Sequence, residues 1–242
     1  MDRARLLASS SKESSKWLQV IPSSKLGLLL DNDAARIAVA LRLGCNICEE
    51  HNCSCGKLVN KNGLHGLSCK FSKGWIPRHN IINNTYAHAF SSAGIPNIIQ
   101  PPGLSRVDGK KPDFLTLIPW SRGKSLIWDV TVRDTLAPSY LKMSSSKAGS
   151  VAEQAERKKH NHYINLKENH IFTPIALESL GVCGPETKIF MNTLGKLLKK
   201  ATGEKRALDY LYQKVSIAIQ RGNAACIMGT FEKKKLKDFY LL

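Results

Sequence analysis

The stretch Lys111-Pro112-Asp113, which precedes an apolar run, and the stretch Ser125-Leu126-Ile127-Trp128-Asp129-Val130 decide the fold of this chain. Between them lies a polar segment with a glycine, Ser121-Arg122-Gly123-Lys124. Two apolar runs around such a segment predict a β-hairpin over residues 112–133. Each strand carries one aspartate, so Asp113 and Asp129 are expected to lie a few ångströms apart. Two carboxylates that close repel each other, which favours a divalent cation between them.

The composition points to a polyanionic partner. The chain has 242 residues, of which 43% are hydrophobic, and a net charge of +17. This length predicts one large domain or two small ones with a sizeable core. The excess of positive charge makes nucleic acid the first candidate partner, and an anionic membrane surface is disfavoured because no long amphipathic basic helix is evident.

Cysteine usage and the N-terminal residues indicate the compartment. Five of the seven cysteines lie between Cys45 and Cys69, which predicts a metal site in a reducing compartment rather than a secreted disulfide framework. The N-terminus lacks the apolar core of a secretion signal, and no run of 18 apolar residues occurs. We therefore expect no membrane span, with synthesis in the cytoplasm and a nuclear location.

Hydrophobic periodicity predicts an α/β fold. Its core has the helix and strand order αβββαβ, with a mixed sheet flanked by helices, as in restriction endonucleases. We expect four regions: a polar and helical N-terminal segment with frayed residues 1–16 (1–44), a zinc knuckle (45–76), the nuclease-like domain (77–230) and a basic tail (231–242). Within them the patterns predict helices at about 33–43, 77–93, 150–170, 185–201 and 205–222, and strands at 95–100, in the hairpin, and at 171–178.

Four residues in the cysteine-rich segment have the spacing of a zinc knuckle: Cys53, Cys55, His65 and Cys69. Two ligand pairs on either side of a turn rich in glycine and asparagine can close a tetrahedron around Zn²⁺, and four protein ligands predict a structural role. The exact set of zinc ligands remains open, because Cys45, Cys48 and His51 lie nearby. The alternative interpretation is a group of free thiols.

The aspartate pair predicts a metal-dependent hydrolase acting on phosphodiesters. Asp113, Asp129 and the backbone carbonyl of Val130 are candidate ligands for Mg²⁺, or Mn²⁺, which would polarise the phosphate and activate water. A lysine usually completes such a site two residues after the second acid, but Thr131 occupies that position. Lys159, in a polar helix, is the nearest replacement. The alternatives are turn capping by the aspartates and a solvated lysine face.

Taken in order, these motifs resemble a known family. They are Cys53-x-Cys55, His65-x3-Cys69, Arg78-His79-Asn80, Lys111-Pro112-Asp113, Trp128-Asp129-Val130 and Lys159-x3-Tyr163. Over residues 17–230 the chain resembles the C-terminal part of non-LTR retrotransposon polyproteins, in which a Cys-Cys-His-Cys knuckle and a restriction-like endonuclease of the PD-(D/E)XK type follow a reverse transcriptase. The family endonuclease nicks target DNA to prime reverse transcription.

The resemblance implies roles for individual residues. Asp113 and Asp129 would be the catalytic acids, and Lys159 the displaced lysine. Contacts to nucleic acid, chiefly DNA with element RNA as a second candidate, are expected from Arg78, His79, Lys111, Lys158 and Tyr163. The family has a second lysine directly before the tyrosine, where this chain has His162, and this departure puts the activity of this copy in question.

No Tyr/Phe-x-Asp-Asp signature of a reverse transcriptase occurs in these 242 residues. We therefore expect a fragment or remnant of an element, or a host gene derived from one. The leading hypothesis is a DNA endonuclease, and the alternative is a non-catalytic protein that binds nucleic acid with the same fold.

Overall fold

The computed structural model describes residues 1–105 and 109–231 of the chain. The predicted basic tail, including Lys233 to Lys237, lies outside the described residues, apart from Phe231. The helices are α1 (Asp2–Ser9), α2 (Asn32–Leu43), α3 (His65–Ser68), α4 (Trp75–Ser92), α5 (Leu141–Ser144), α6 (Ser150–His162), α7 (Pro185–Thr202) and α8 (Ala207–Met228), with 3₁₀ turns at Lys16–Gln19 and Ile164–Leu166. The strands are β1 (His51–Asn52), β2 (Leu58–Val59), β3 (Asn97–Ile99), β4 (Phe114–Thr116), β5 (Leu126–Arg133) and β6 (Ile171–Glu178).

The predicted hairpin lies at the centre of a four-stranded mixed sheet in the order β3-β4-β5-β6. Strands β3, β4 and β5 are antiparallel to their neighbours, whereas β5 and β6 run parallel. Parallel strands need a crossover connection, and α5 and α6 supply it. The described chain is therefore an α/β protein with a mixed sheet flanked by helices, and its elements α4, β3, β4, β5, α6 and β6 follow the predicted order.

Alternation along β5 divides the two faces of the sheet. Leu126, Trp128, Val130 and Val132 belong to the main apolar core together with residues of α4, α7 and α8. Ile127 packs on the opposite face with Tyr163, next to α6. Because successive side chains of a strand point to opposite faces, Asp129 lies on the α6 side of the sheet.

A stack of aromatic rings fixes the hairpin against the helices. The Trp128 ring lies between Phe90 and Phe114, with ring centroids 4.4 and 4.9 Å away. All three rings are buried. Stacked aromatic pairs stabilise a core beyond the area that they bury, so this stack holds β4, β5 and α4 in one arrangement.

The N-terminal segment differs from its prediction. Residues 1–16 were expected to be polar and frayed, but Ala4 and Ala8 are fully buried on one face of α1, in a core shared with α2. Arg5 is also buried, and its Nε–H donates to the Leu41 carbonyl oxygen at 3.2 Å. The sequence did not indicate this packing, because the buried face consists of two small alanines and an arginine.

The cysteine-rich segment belongs to the same core. Cys48, Cys53, Val59, Leu67 and Cys69 pack in one apolar cluster with residues of α1, α2 and α8, among them Ala224 and Ile227, and with Phe231 beyond the end of α8. The boundary predicted at residue 76 thus separates segments that share an interior. No helix in residues 1–105 or 109–231 has the length and apolar character to cross a membrane.

The polar helix α6 also contributes a glutamate, Glu156, to the interior. It is buried, and its carboxylate accepts hydrogen bonds from the Thr187 N–H at 2.8 Å and the Glu186 N–H at 3.2 Å. These are donors of the first turn of α7, which have no partner within their own helix. Glu156 therefore links α6 to the start of α7.

Replacing Glu156 with alanine is expected to lower the free energy of unfolding by about 1–3 kcal/mol, because buried donors of α7 lose their acceptor. Glu153→Ala on the same helix is the matched control. Glu153 pairs with Lys147 and Arg157 at the surface, so its loss should cost about 1 kcal/mol or less. Urea denaturation of both variants measures the difference, and equal losses would contradict the linking role of Glu156.

The buried carboxyl of Asp134 is expected to make the stability of the fold depend on pH. Burial raises the pKa of its carboxyl, although hydrogen bonds from the Leu136 N–H and the Ser179 hydroxyl act in the opposite direction. The folded protein therefore holds this proton more tightly than the unfolded chain, whose aspartates have a pKa of about 4. The carboxyl should destabilise the fold progressively as pH rises from about 4 through the raised pKa.

Asp134→Asn keeps Oδ1 as the acceptor and removes the ionisation. The stability of this variant relative to the wild type is expected to improve as pH rises across that window, and thermal unfolding from pH 4 to pH 8 measures it. A constant difference over the whole range would show that Asp134 ionises alike in the folded and unfolded states.

Candidate metal centres

The four predicted zinc ligands come together in the structure. One ligand atom each from Cys53, Cys55, His65 and Cys69 lies within 4.8 Å of the others. The Sγ atoms of Cys53 and Cys69 are 3.8 Å apart, and Cys55 Sγ is 3.2 Å from His65 Nε2. Thiolates bound to one tetrahedral Zn²⁺ at about 2.3 Å are separated by about 3.8 Å, so the cluster has the donors and dimensions for a zinc-like ion.

Local backbone structure explains how the zinc ligands converge. The Cys53 N–H donates to the Lys57 carbonyl oxygen, which closes the tight turn that carries Cys55. Gly56 has a φ of 82°, a conformation that glycine adopts without strain. The short helix α3 begins at His65, and Cys69 follows directly after it.

The three other candidate zinc ligands, Cys45, Cys48 and His51, lie outside the cluster. Cys48 is buried, and burial raises the pKa of its thiol to about 11. The His51 ring stacks on Phe231 with centroids 3.8 Å apart, and its Nε2 lies 2.8 Å from the Thr230 hydroxyl. Cys45 is exposed and lies outside the cluster. The structure thus favours the set that the spacing indicated first.

The two predicted catalytic aspartates face each other across the hairpin. The register that pairs Phe114 with Trp128 and Leu115 with Ile127 places Asp113 opposite Asp129. The Asp113 N–H donates to the Trp128 carbonyl oxygen at 3.0 Å, and the Val130 N–H donates to Asp113 Oδ2 at 2.7 Å. The backbone of β5 therefore holds the Asp113 carboxylate in place.

Lys159 reaches the aspartates from α6, as the sequence predicted. Its Nζ donates to Asp129 Oδ1 at 2.6 Å, and both side chains are largely buried. The Tyr163 hydroxyl, one turn further along the chain, donates to Asp129 Oδ2 and also contacts the Lys111 carbonyl oxygen at 3.1 Å. The interpretation of Lys159 as part of a solvated lysine face is wrong.

Burial raises the pKa of the Asp129 carboxyl, and the charge of Asp113 acts in the same direction. The charge of Lys159 and the hydrogen bonds from Lys159 and Tyr163 counteract both effects. A carboxylate in such surroundings gains from a further positive charge, and a divalent cation would supply one.

The side chain of His79 also lies at this centre. Its Nε2 lies 3.1 Å from Asp113 Oδ2, and ligand atoms of His79, Asp113 and Asp129 all lie within 4.8 Å of one another. Burial alone would lower the pKa of His79, but the hydrogen bond with Asp113 and the two carboxylate charges outweigh it and raise that pKa. The sequence predicted for His79, in the motif Arg78-His79-Asn80, a contact to nucleic acid, and this stays a prediction.

Arg78 does not reach the surface, so the prediction that it contacts nucleic acid is wrong. Only 2% of the residue is exposed. Its Nη2–H donates to the Leu67 carbonyl oxygen at 3.0 Å, between two zinc ligands, and its Nη1 lies 3.5 Å from Asn223 Oδ1 on α8. A Cβ atom on Gly222 would be 2.3 Å from Arg78 Cγ. Arg78 thus locks the start of α4 to the knuckle and to α8.

Tyr163 is buried as well, so its predicted contact with nucleic acid is replaced by the bond to Asp129. Lys111 and Lys158 are exposed and stay candidates for phosphate contacts. The predicted carbonyl ligand of Val130 stays a prediction, since the contact that the structure gives is the N–H of that residue to Asp113.

The acid centre opens into a polar cleft of about 530 Å³. Five basic side chains line the cleft around the two aspartates: Lys110, Lys111, Arg133, Lys159 and His162. Such a rim attracts a polyanion towards the acids, while the acids themselves need a cation before a phosphate can approach.

Comparison of the sequence with protein-family models and with curated proteins found no match.

Replacing Cys69 with serine is expected to abolish zinc binding and to lower the unfolding temperature by more than about 5 °C, because the ion stabilises the core shared with α8. A zinc chelator should have the same effect on the wild type. Metal analysis of the purified protein and thermal unfolding measure both results.

The control is Cys45→Ser, which changes an exposed cysteine outside the cluster and should keep about one zinc ion per chain. If the purified wild type contains no zinc and the chelator does not change its unfolding temperature, the cluster consists of free thiols.

Proposed function

We propose that this chain is a metal-dependent DNA endonuclease with a restriction-endonuclease-like αβββαβ core and a structural zinc knuckle, derived from a non-LTR retrotransposon. The observation that carries the proposal is the contact between Lys159 Nζ and Asp129 Oδ1 at 2.6 Å, beside Asp113. Two acids and a lysine from three different elements meet in one basic cleft. This is the donor set that hydrolysis of a phosphodiester requires.

The residues present fit a hard divalent cation. Asp113 and Asp129 would hold Mg²⁺ or Mn²⁺, which supplies a Lewis acid for the phosphate and lowers the pKa of the attacking water. Lys159 places a fixed positive charge where negative charge develops in the transition state. The Val130 N–H and the Tyr163 hydroxyl orient one carboxylate each, so that neither acid must reorganise when the substrate binds.

The surface charge supports a nucleic acid as the substrate. A chain with a net charge of +17 binds phosphate backbones without regard to sequence, and the exposed Lys111 and Lys158 lie at or near the acid cleft. Lys57, Lys61, Lys70 and Lys73 are exposed around the knuckle and extend the basic surface. We propose duplex DNA as the substrate, element RNA as a second ligand and the nucleus as the site of action.

A non-catalytic protein that binds nucleic acid is the second candidate. The observation that favours it is His162, which lines the cleft where the family has a lysine. An imidazole that is neutral near pH 7 does not supply the permanent charge of a lysine. In this alternative the aspartates keep a structural role in the hairpin.

Asp129→Asn and Lys159→Ala are each expected to lower the rate of Mg²⁺-dependent nicking of supercoiled plasmid by at least about 100-fold. The first variant loses a charged ligand of the cation, and the second loses the positive charge beside the negative charge that develops in the transition state. DNA binding should change little. Lys158→Ala is the matched comparison: it should weaken DNA binding and lower the slope of log affinity against log salt by about 1, with the rate at saturating DNA unchanged.

A gel assay of nicking and a salt titration of DNA binding measure these effects. Nicking that survives in Asp129→Asn would identify a contaminating nuclease. Salt-dependent binding by the wild type, without nicking in Mg²⁺ or Mn²⁺, would favour the non-catalytic alternative.

A further inference from the structure

We propose that His79 is a third ligand of the cation held by Asp113 and Asp129, and that this nitrogen makes the centre select Mn²⁺ or a similar transition-metal ion over Mg²⁺. The inference deepens the proposed nuclease function and rests on the same acid pair. It changes the role of His79 from a contact to nucleic acid to a part of the metal site.

The distances at the acid centre match one coordination sphere. His79 Nε2 and Asp113 Oδ2 are 3.1 Å apart, and Asp129 completes a set of ligand atoms that lie within 4.8 Å of one another. Two neighbouring ligands of an octahedral ion, each about 2.1 Å from it, are separated by about 3 Å. The His79 ring therefore stands at the edge of the octahedron that Asp113 would share.

The hydrogen bonds of Asp129 do not prevent ligation. Its two oxygens accept from Lys159 and Tyr163. An ionised carboxylate offers about four lone-pair sites on its two oxygens, so it can accept both bonds and still bind an ion.

A second residue of α4 orients the His79 ring. Asn83, one helical turn further on, is 5% exposed, and its Nδ2 lies 3.2 Å from both ring nitrogens of His79. Its buried Oδ1 has no hydrogen-bond partner. A rotation of the amide by 180° would place Oδ1 where it can accept from the Nδ1–H of His79, while Nε2 faces Asp113 Oδ2 at 3.1 Å. Metal-binding histidines are commonly oriented by such a bond from the opposite ring nitrogen.

The backbone that carries His79 is also fixed. The neighbouring Arg78 is buried and bonded to the Leu67 carbonyl oxygen in the knuckle. The ring is thus held towards the acids before any ion binds, and a preformed ligand costs little ordering entropy when it is used.

The chemistry of the donor set predicts the choice of ion. Carboxylate oxygens suit both Mg²⁺ and Mn²⁺, whereas an imidazole nitrogen binds first-row transition-metal ions better than the harder Mg²⁺. A centre with two carboxylates and one imidazole should therefore discriminate in favour of Mn²⁺.

The test uses Mn²⁺ alone as the probe, added to the zinc-loaded full chain. Pulsed electron paramagnetic resonance is expected to show a nitrogen hyperfine coupling to bound Mn²⁺ in the wild type, and the coupling should disappear in His79→Ala. His88→Ala is the matched control, because His88 is an exposed histidine of the same helix outside the acid cleft. If His79→Ala does not fold, the same measurement is made on His79→Asn.

Affinity provides the second readout. His79→Ala should weaken Mn²⁺ binding by more than about tenfold and Mg²⁺ binding by less, so that the preference for Mn²⁺ falls, and Asn83→Ala should weaken Mn²⁺ binding by about tenfold through the loss of ring orientation. Bound Mn²⁺ without a nitrogen coupling, or a coupling that persists in His79→Ala, would overturn the inference.

These outcomes are separate from those of the nicking assay. A chain that nicks DNA and depends on Asp129, but shows no nitrogen coupling, would keep the nuclease function and lose the His79 ligand. A chain with the coupling and the Mn²⁺ preference, but without nicking, would keep the metal site and lose the hydrolytic function.

Discussion

The antiparallel register of β4 and β5 is the constraint on which the acid centre depends. The Phe114–Trp128 pair stacks in the core, and Asp113 and Asp129 are the next residues along their strands. Alternation then places both carboxylates on the opposite face, towards α6. A slip by one residue would expose Trp128 and bury a carboxylate against α4, so the burial of the aromatic rings enforces the pairing of the acids.

The zinc cluster and the acid centre are joined through the first turns of α4. Arg78 bonds to the knuckle at Leu67, and the next residue, His79, contacts Asp113. Close packing around Gly74, where a Cβ atom would lie 2.1 Å from the Ala225 backbone, leaves α4 little freedom to shift against α8. The cysteine-rich segment therefore contributes to the geometry of the acids.

Sequence patterns predicted the elements better than the contacts between them. Helix α7 and strand β6 lie within one residue of their predicted limits, and the cluster of three cysteines and one histidine was predicted because its spacing is a local property. The positions of Arg78 and Glu156 were not predicted, since a charged residue is assigned to the surface unless its buried partner is known. Those partners, Leu67 and Thr187, are 11 and 31 residues away along the chain. The contact of His79 with Asp113, 34 residues away, could not be predicted either, since it depends on how α4 packs against the sheet.

The ammonium beside Asp129 comes from helix α6 and not from position 131 of β5, where the chain has a threonine. Residue 131 lies on β5, two positions after Asp129 and on the same face of the sheet, so a lysine there would extend along the strand beside the acid. Helix α6 packs on that face and delivers Lys159 Nζ to Asp129 from above the sheet. The positive charge next to Asp129 therefore comes from a residue 28 positions further along the chain than Thr131. The chemistry constrains where the ammonium lies in space, and a long side chain on either of two neighbouring elements can meet that requirement.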